Sequence, residues 1–316
     1  MKHLKSLSGL TAGEIQEILS LSADIKQEFN IGQRPPLLQG RVLTLVFEKP
    51  SLRTRNSFEA AVMQLGGGSS FLSSKDAGFA GRESLPDIAR VLSGYSDAIV
   101  LRTFSQADID EFAAYSSCPV INGLSDERHP CQALTDLLTM QEAFGDLKNR
   151  KLVFVGDGNN VAASLAVATS LLQISLTVCT PPGYELNGNV TAELAKKRPT
   201  TQITHSNDPQ QAVRGADVVY TDVWASMGQE AEAQQRNQIF APYQVNAALM
   251  AKAPRDCKFM HDLPARRGLE VTDEVIDGPQ SIVFQQAENR MHLAKGLLVC
   301  LLDGQERPEI DTQKHC

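Results

Sequence analysis

The residues most suited to chemistry sit close together at Ser51-Leu52-Arg53-Thr54-Arg55. They follow an apolar, β-rich run, Val42-Leu43-Thr44-Leu45-Val46-Phe47, of the kind that forms a buried parallel strand. Beyond them Phe58, Val62 and Leu65 recur at helical spacing, so a helix is expected to open near Ser51. The first N–H groups of a helix have no partner inside it and carry the positive end of its dipole. Two hydroxyls and two guanidiniums crowd that same turn. Arginine in a first turn opposes the dipole, so this pair needs compensation, and an anion such as a phosphate supplies it. A capped helix with a solvated basic turn is the plainer alternative.

Other candidates fall where an open α/β sheet binds ligands, at the carboxyl ends of strands. Arg102 ends the run 97–102, although a rim salt bridge would explain it as well. His129 and, a turn later, Gln132 follow the short run 119–122. In the second half, Asp157 to Asn160, then Asp222, Ser226 and Met227, then His261 and Asp262 follow further apolar runs. Basic and hydroxyl groups gather in the first half, carboxylates and amides in the second. That division suits an anion on one side and an amine-bearing partner on the other. Gly156-Asp157-Gly158-Asn159-Asn160 invites comparison with a dinucleotide fingerprint, but Val161 stands where the third glycine belongs. The next strand ends at Thr180-Pro181-Pro182, with no acid for a ribose. Trp224 reads as packing and Cys131 as a small buried apolar residue.

These groups need a scaffold, and the chain has the length for one: 316 residues suffice for two domains. Hydrophobic residues make up 42% and the net charge is −7, which argues against a nucleic-acid surface. No apolar run reaches membrane-spanning length, and Met1-Lys2-His3-Leu4-Lys5 does not begin a signal segment. The six cysteines show no CxxC spacing, which points to a reducing cytoplasm.

A surface helix is expected over 10–29, with Thr11 and Glu14 forming a capping box. Gly66-Gly67-Gly68 should stop the helix opened at Ser51, and 69–82 reads as a mobile loop. Further helices are expected at 84–93, from His129-Pro130 to about 144, at 161–172 and at 285–302. Strands are expected at 151–155, 176–180, 202–205, 218–221 and 258–261. This alternation predicts an α/β fold of two domains, each a mostly parallel sheet with helices on both faces. The helix 130–144 should cross between them. In the last helix only Arg290 is assigned to a site.

Taken together, these motifs resemble the aspartate/ornithine carbamoyltransferase family over nearly the whole chain. Ser51-Leu52-Arg53-Thr54-Arg55 resembles its S-x-R-T-R phosphate motif, and His129-Pro130-Cys131-Gln132 its H-P-x-Q motif. Gly156–Asn160, Asp222–Gly228 and Ala287–Arg290 resemble the ornithine branch. The resemblance implies a carbamoyl phosphate domain (1–135, with 286–316 packing back on it), an amino-acid domain (136–285) and a trimer. It implies that Ser51, Leu52, Arg53 and Thr54 hold the phosphate. Arg102, His129, Gln132, Leu263 and Arg290 would hold the carbamoyl part. Asn160, Asp222, Ser226 and Met227 would grip L-ornithine, whose δ-amine attacks the carbonyl carbon to give citrulline and phosphate in arginine biosynthesis. Catalysis of this kind needs no metal or cofactor, only positioning and donors for the developing oxyanion, here Thr54, Arg102 and His129.

Two positions depart from the family pattern. Asp262 stands where ornithine enzymes usually carry a cysteine, in His261-Asp262-Leu263-Pro264, and counts as a catalytic candidate. Gly78 stands where a polar residue would reach a neighbouring subunit's site. A transferase for another diamino acid, or a weakly active paralogue that binds or regulates, therefore remain as alternatives.

Overall fold

The computed structural model describes residues 1–79, 83–198, 203–225 and 229–302. Two parallel sheets carry the chain. The first contains β1 (Val42–Phe47), β2 (Gly68–Ser73), β3 (Ala98–Arg102) and β4 (Val120–Leu124), in the order β2-β1-β3-β4. The second contains β5 (Lys151–Val155), β6 (Ser175–Cys179), β7 (Ile203–Ser206), β8 (Val218–Thr221) and β9 (Lys258–His261), in the order β7-β6-β5-β8-β9. The longer helices are α1 (Ala12–Asn30), α2 (Leu52–Gln64), α3 (Leu85–Tyr95), α4 (Gln106–Tyr115), α5 (Pro130–Phe144), α6 (Asn160–Leu171) and α7 (Gly188–Lys197). After α8 (Pro209–Ala212), α9 (Ala233–Phe240), α10 (Ala247–Met250) and α11 (Asp273–Ile276), the helix α12 (Val283–Leu302) ends the described chain.

Alternation along each strand feeds two apolar faces. In the first sheet Leu43, Leu45 and Val100 join one cluster, while Val46, Ile99 and Leu101 join another with Ile109 and Phe112 of α4. In the second sheet Phe154, Val178 and Tyr220 turn to one side, and Val153, Val219 and Phe259 to the other. The largest cluster runs through both sheets by way of α1, α2, α5 and α12. Helix α5 packs on β4 and α6, and α12 packs on α1, α2 and α5. Gly296 permits the α12–α1 approach, since a Cβ there would meet the Ser22 main chain at 2.8 Å. Among the described residues no helix is long and apolar enough to cross a membrane.

The expected capping box is present: Thr11 N–H donates to Glu14 Oε2 at 2.8 Å, and Glu14 N–H to Thr11 Oγ1 at 3.2 Å. The loop expected over 69–82 needs correction at its start: 74–79 are turns, as expected, and 80–82 lie outside the described residues. Residues 68–73 form β2, an edge strand in parallel register with all of β1. Beyond it Ala77 and Phe79 pack against the α3–α4 cluster. Gly-Ser-Ser-Phe-Leu-Ser shows no alternation because an edge strand is paired on one side only and half exposed. Helix α4 was not expected either.

Both sheets reverse direction of growth at one point, β1/β3 in the first and β5/β8 in the second. The register sets Phe47 beside Arg102, and Val155 beside Thr221. The turn at Ser51 and Arg102 therefore leave from one switch point, and the 156–160 turn and Asp222 from the other. A crevice forms at such points because the chains diverge there.

Candidate active site

A cleft of about 670 Å³ joins the two switch points. On its first wall Ser51 caps α2, its Oγ accepting from Thr54 N–H at 3.2 Å. Thr54 Oγ1 accepts from Arg102 Nη1 at 3.3 Å and from Arg290 Nη2 at 3.0 Å. A hydroxyl has two acceptor lone pairs and one donor. With both lone pairs used, the Thr54 proton is left for the cleft. Arg53 lines the cleft and makes no hydrogen bond among the described residues. Arg55 does not join it. Two residues on from Arg53 it lies on the other side of α2, paired with Glu59 at 3.0 Å and stacked 3.7 Å over the Phe71 ring.

Three guanidiniums thus converge with too little negative charge between them. Burial, and then the Arg290 and Arg53 charges, bring Arg102 down to about 10. Arg53 and Arg290 are also lowered, burial being the main cause in each. His129 is buried too, and burial with the Arg290 and Arg102 charges holds it well below the usual imidazole range. It is therefore a neutral ring at physiological pH, able to donate one hydrogen bond without adding a cation. Its Nδ1 has no partner among the described residues. Gln132 stands behind the wall, accepting from Arg290 through Oε1 and donating to Asp136 at 2.8 Å through Nε2.

Such a wall calls for a dianion. Inorganic phosphate or sulfate should raise Tm by several degrees: a hundredfold excess over Kd is worth about 2.7 kcal/mol. Arg53→Ala should forfeit most of that rise in a thermal-shift titration. An equal rise in the variant would mean a general salt effect instead of this site.

The second wall is acidic. Asp222 Oδ1 accepts from Val223 N–H at 2.6 Å, and Oδ2 from Asn159 Nδ2 at 2.7 Å. Asn159 falls inside the candidate run Asp157 to Asn160, and the structure gives it two tasks, holding Asp222 and capping α6. Asn160 lines the cleft with one amide hydrogen on Ser125 O at 2.6 Å, leaving the other for a ligand. Asp222, His261 and Asp262 bring their polar atoms within 4.8 Å of one another. Burial and the Asp262 charge push the Asp222 carboxyl well above the ordinary range, so Asp222 favours its protonated form until a cation arrives.

His261 does not supply that cation in its observed geometry. Burial lowers it, and Asp262 and Glu270 together lift it to about 9. Yet Leu263 N–H donates to His261 Nδ1 at 2.9 Å, which requires a lone pair there. The hydrogen bond decides for the neutral ring, with Nε2–H directed to Glu270 at 3.2 Å. The same engagement leaves the imidazole without a free lone pair for a metal ion. Leu263 itself has φ +58°, a strained value for a branched side chain, at the rim of the cleft.

Gly158 answers the dinucleotide question. A Cβ there would lie 2.5 Å from the Glu185 carbonyl carbon, and its N–H donates to Tyr184 O at 2.9 Å. The glycine serves this close approach of the 184–186 segment. Ser226 and Met227 lie outside the described residues.

Fold and site together define a two-sheet α/β protein with an anion pocket facing an ammonium pocket, an arrangement suited to group transfer between two small charged molecules. Residues 2–142 match the family model for the aspartate/ornithine carbamoyltransferase carbamoyl-P binding domain, and residues 148–301 the model for its Asp/Orn binding domain. The chain is 49% identical over 304 residues to the ornithine carbamoyltransferase of Anoxybacillus flavithermus, covering 95% of this chain and 96% of that one. It is 48% identical to that of Bacillus subtilis, covering 95% and 94%. The solved ornithine carbamoyltransferase of Pyrococcus furiosus superposes with a TM-score of 0.93 at 47% identity, covering 96% of this chain and 98% of that one. The chain belongs to the aspartate/ornithine carbamoyltransferase family.

Proposed function

We propose that the protein transfers the carbamoyl group of carbamoyl phosphate to the δ-amine of L-ornithine, giving L-citrulline and phosphate, as a cytoplasmic step of arginine biosynthesis. The observation that carries the reading is the opposition of the Arg53–Arg102–Arg290 wall to the Asp222–Asp262 wall across one cleft. The names of the relatives support the choice of ornithine.

In this reading the Ser51 and Leu52 end of α2, Arg53 and Thr54 hold the phosphate. Arg102, His129 and the Leu263 main chain face the carbamoyl group, with Arg290 held against it by Gln132. Asp222 takes the α-ammonium, and Asn160, Ser226 and Met227 the α-carboxylate. The neutral δ-amine attacks the carbonyl carbon, and a C–N bond forms. Negative charge grows on the carbonyl oxygen, where the Thr54 hydroxyl, Arg102 and neutral His129 can donate. The C–O bond to phosphate then breaks, phosphate leaves with the electron pair, and the surplus amine proton leaves with it. Holding both reactants in line supplies much of the acceleration. The reading divides the chain near residue 135, within α5, with α12 returning to the first domain; the packing of α12 on α1 and α2 supports this. It also takes the assembly to be a homotrimer.

The test is a panel of diamino acids of different length, assayed with carbamoyl phosphate. L-Ornithine should be carbamoylated fastest. Product from a shorter or longer homologue instead would reassign the acceptor, and no product from any would leave a binding protein. Asp262→Cys sharpens the result. An ionised Asp262 attracts the side-chain ammonium but favours its non-nucleophilic form and opposes the oxyanion. The variant should turn ornithine over faster and saturate at lower pH. Superimposable pH–rate profiles and an unchanged acceptor ranking would make Asp262 a spectator.

A further inference from the structure

Behind the cleft a line of buried polar groups runs from one wall to the other. At its centre Asp136, midway along α5, is fully shielded from solvent. Its Oδ1 accepts from Gln132 Nε2 at 2.8 Å and from Gln286 Nε2 of α12 at 2.7 Å. Both amides therefore turn their NH₂ groups inward and their oxygens outward. Gln132 Oε1 accepts from Arg290, and Gln286 Oε1 accepts from His261 N–H at 2.9 Å. The line reads Arg290–Gln132–Asp136–Gln286–His261, and no member is more than 5% exposed. It begins at the guanidinium on Thr54 and ends on the main chain that carries Asp262.

This arrangement is costly. Asp136 has no cation beside it, its Oδ2 lacks a partner among the described residues, and burial lifts its carboxyl to about 7. Apolar residues of similar volume would commonly be no worse for stability. What the shared Oδ1 provides is direction. That oxygen only accepts, even when Oδ2 carries a proton, so neither glutamine can flip without setting a donor against Arg290 or against the His261 N–H.

We propose that Asp136 is a positioning residue that couples the two substrate subsites, so that seating the anion against Arg290 fixes the His261–Asp262 strand end for the acceptor. The proposal rests on the reaction proposed above. A ligand that draws Arg290 forward acts on Gln132 and, through the shared Asp136 oxygen, on Gln286. Ordering a chain whose members have only one satisfied arrangement makes the second ligand less costly to bind.

Calorimetry on the full chain tests this. The Kd of L-ornithine is measured alone and with saturating phosphonoacetamide, an unreactive stand-in whose methylene replaces the bridging oxygen of carbamoyl phosphate. In the wild type the second value should be tighter by about tenfold or more, within the usual range of site-to-site coupling. Asp136→Leu removes the oxygen that both amides share while keeping most of the volume, so nothing fixes the orientation of either glutamine. Its coupling ratio should fall to near one, while ornithine binding without the analogue stays within about threefold, a split that simple loss of stability does not produce. Should Asp136→Leu not fold, Gln286→Met cuts the line at its other half and should lose the same ratio. A ratio retained in either folded variant overturns the proposal, as does a wild-type ratio of one. A wild type that binds neither ligand overturns the proposed reaction, and this proposal with it. Carbamoyl transfer to ornithine with coupling intact in the variants overturns this proposal alone.

Discussion

Arg102→Ala should lower kcat by about 10²–10³-fold, the usual cost of losing one donor to a developing oxyanion, ~3–4 kcal/mol. Arg102 is 6% exposed, and its Nη1 reaches Thr54 Oγ1 at 3.3 Å from the end of β3. Its Nε has no partner among the described residues. The guanidinium is thus held in place by the fold and left undersatisfied, the condition in which a donor needs little rearrangement when charge develops before it. Arg53→Ala should differ in kind. Arg53 is less buried and not tied to Thr54, so its loss should chiefly raise the KM for carbamoyl phosphate. Stability distinguishes these effects from unfolding. Three neighbouring cations repel one another in the empty cleft, and Arg102→Met removes one while keeping most of the volume. Its Tm without ligand should match or exceed that of the wild type, as happens when an unpaired buried charge gives way to an apolar group. Steady-state kinetics and calorimetric melting on the same preparations check both halves. Wild-type kinetics in both alanine variants would remove the anion wall from the reaction.

Much of that wall was legible because its signals are local. The Val42–Phe47 run marks a buried strand whatever surrounds it, and Ser51 three residues before Thr54 marks a cap. Pro130 after His129 marks a helix start. Where the sequence reading went wrong, the deciding contacts were distant or one-sided. Strand β2 gains its identity from register with β1, not from its own pattern. Helix α4 did carry a local signal that was passed over, Ser105 with Asp108 three residues on. The two arginines of the 51–55 turn could have been separated by geometry alone, since a step of two residues moves about 200° around a helix. Asp136 was readable as the i+4 neighbour of Gln132, but nothing local announces Gln286, 150 positions away. The acidic wall was legible as residue types at strand ends. The state of those residues was not, because it depends on which groups share a buried space.

Asp222→Asn should raise the KM for L-ornithine by about 10²-fold, roughly 3 kcal/mol, within the range seen when one partner of a buried charge pair is removed. The affinity for carbamoyl phosphate, read with an unreactive analogue, should change far less, because no Asp222 hydrogen bond reaches the arginine wall and only its charge acts there, on Arg53. The pH dependence carries the finer test. Burial and the Asp262 charge raise the Asp222 carboxyl above its ordinary range, so the empty site holds an extra proton at pH values where a free aspartate has lost it. An incoming ammonium must displace that proton. Acceptor binding therefore releases a proton, and the sign follows: as pH falls, competition strengthens and the ornithine KM rises. Asp222→Asn, already neutral, should show a KM that is high and flat over the same range. Asp262→Cys should leave Asp222 in place but remove the like charge beside it, so the rise should persist and move to lower pH. Deprotonation of the δ-amine acts on kcat from the alkaline side, which keeps the two titrations apart when kcat and KM are profiled separately. An ornithine KM that does not respond to pH in the wild type, or equal losses of both substrates in Asp222→Asn, would mean that the two carboxylates do not form the acceptor's binding wall.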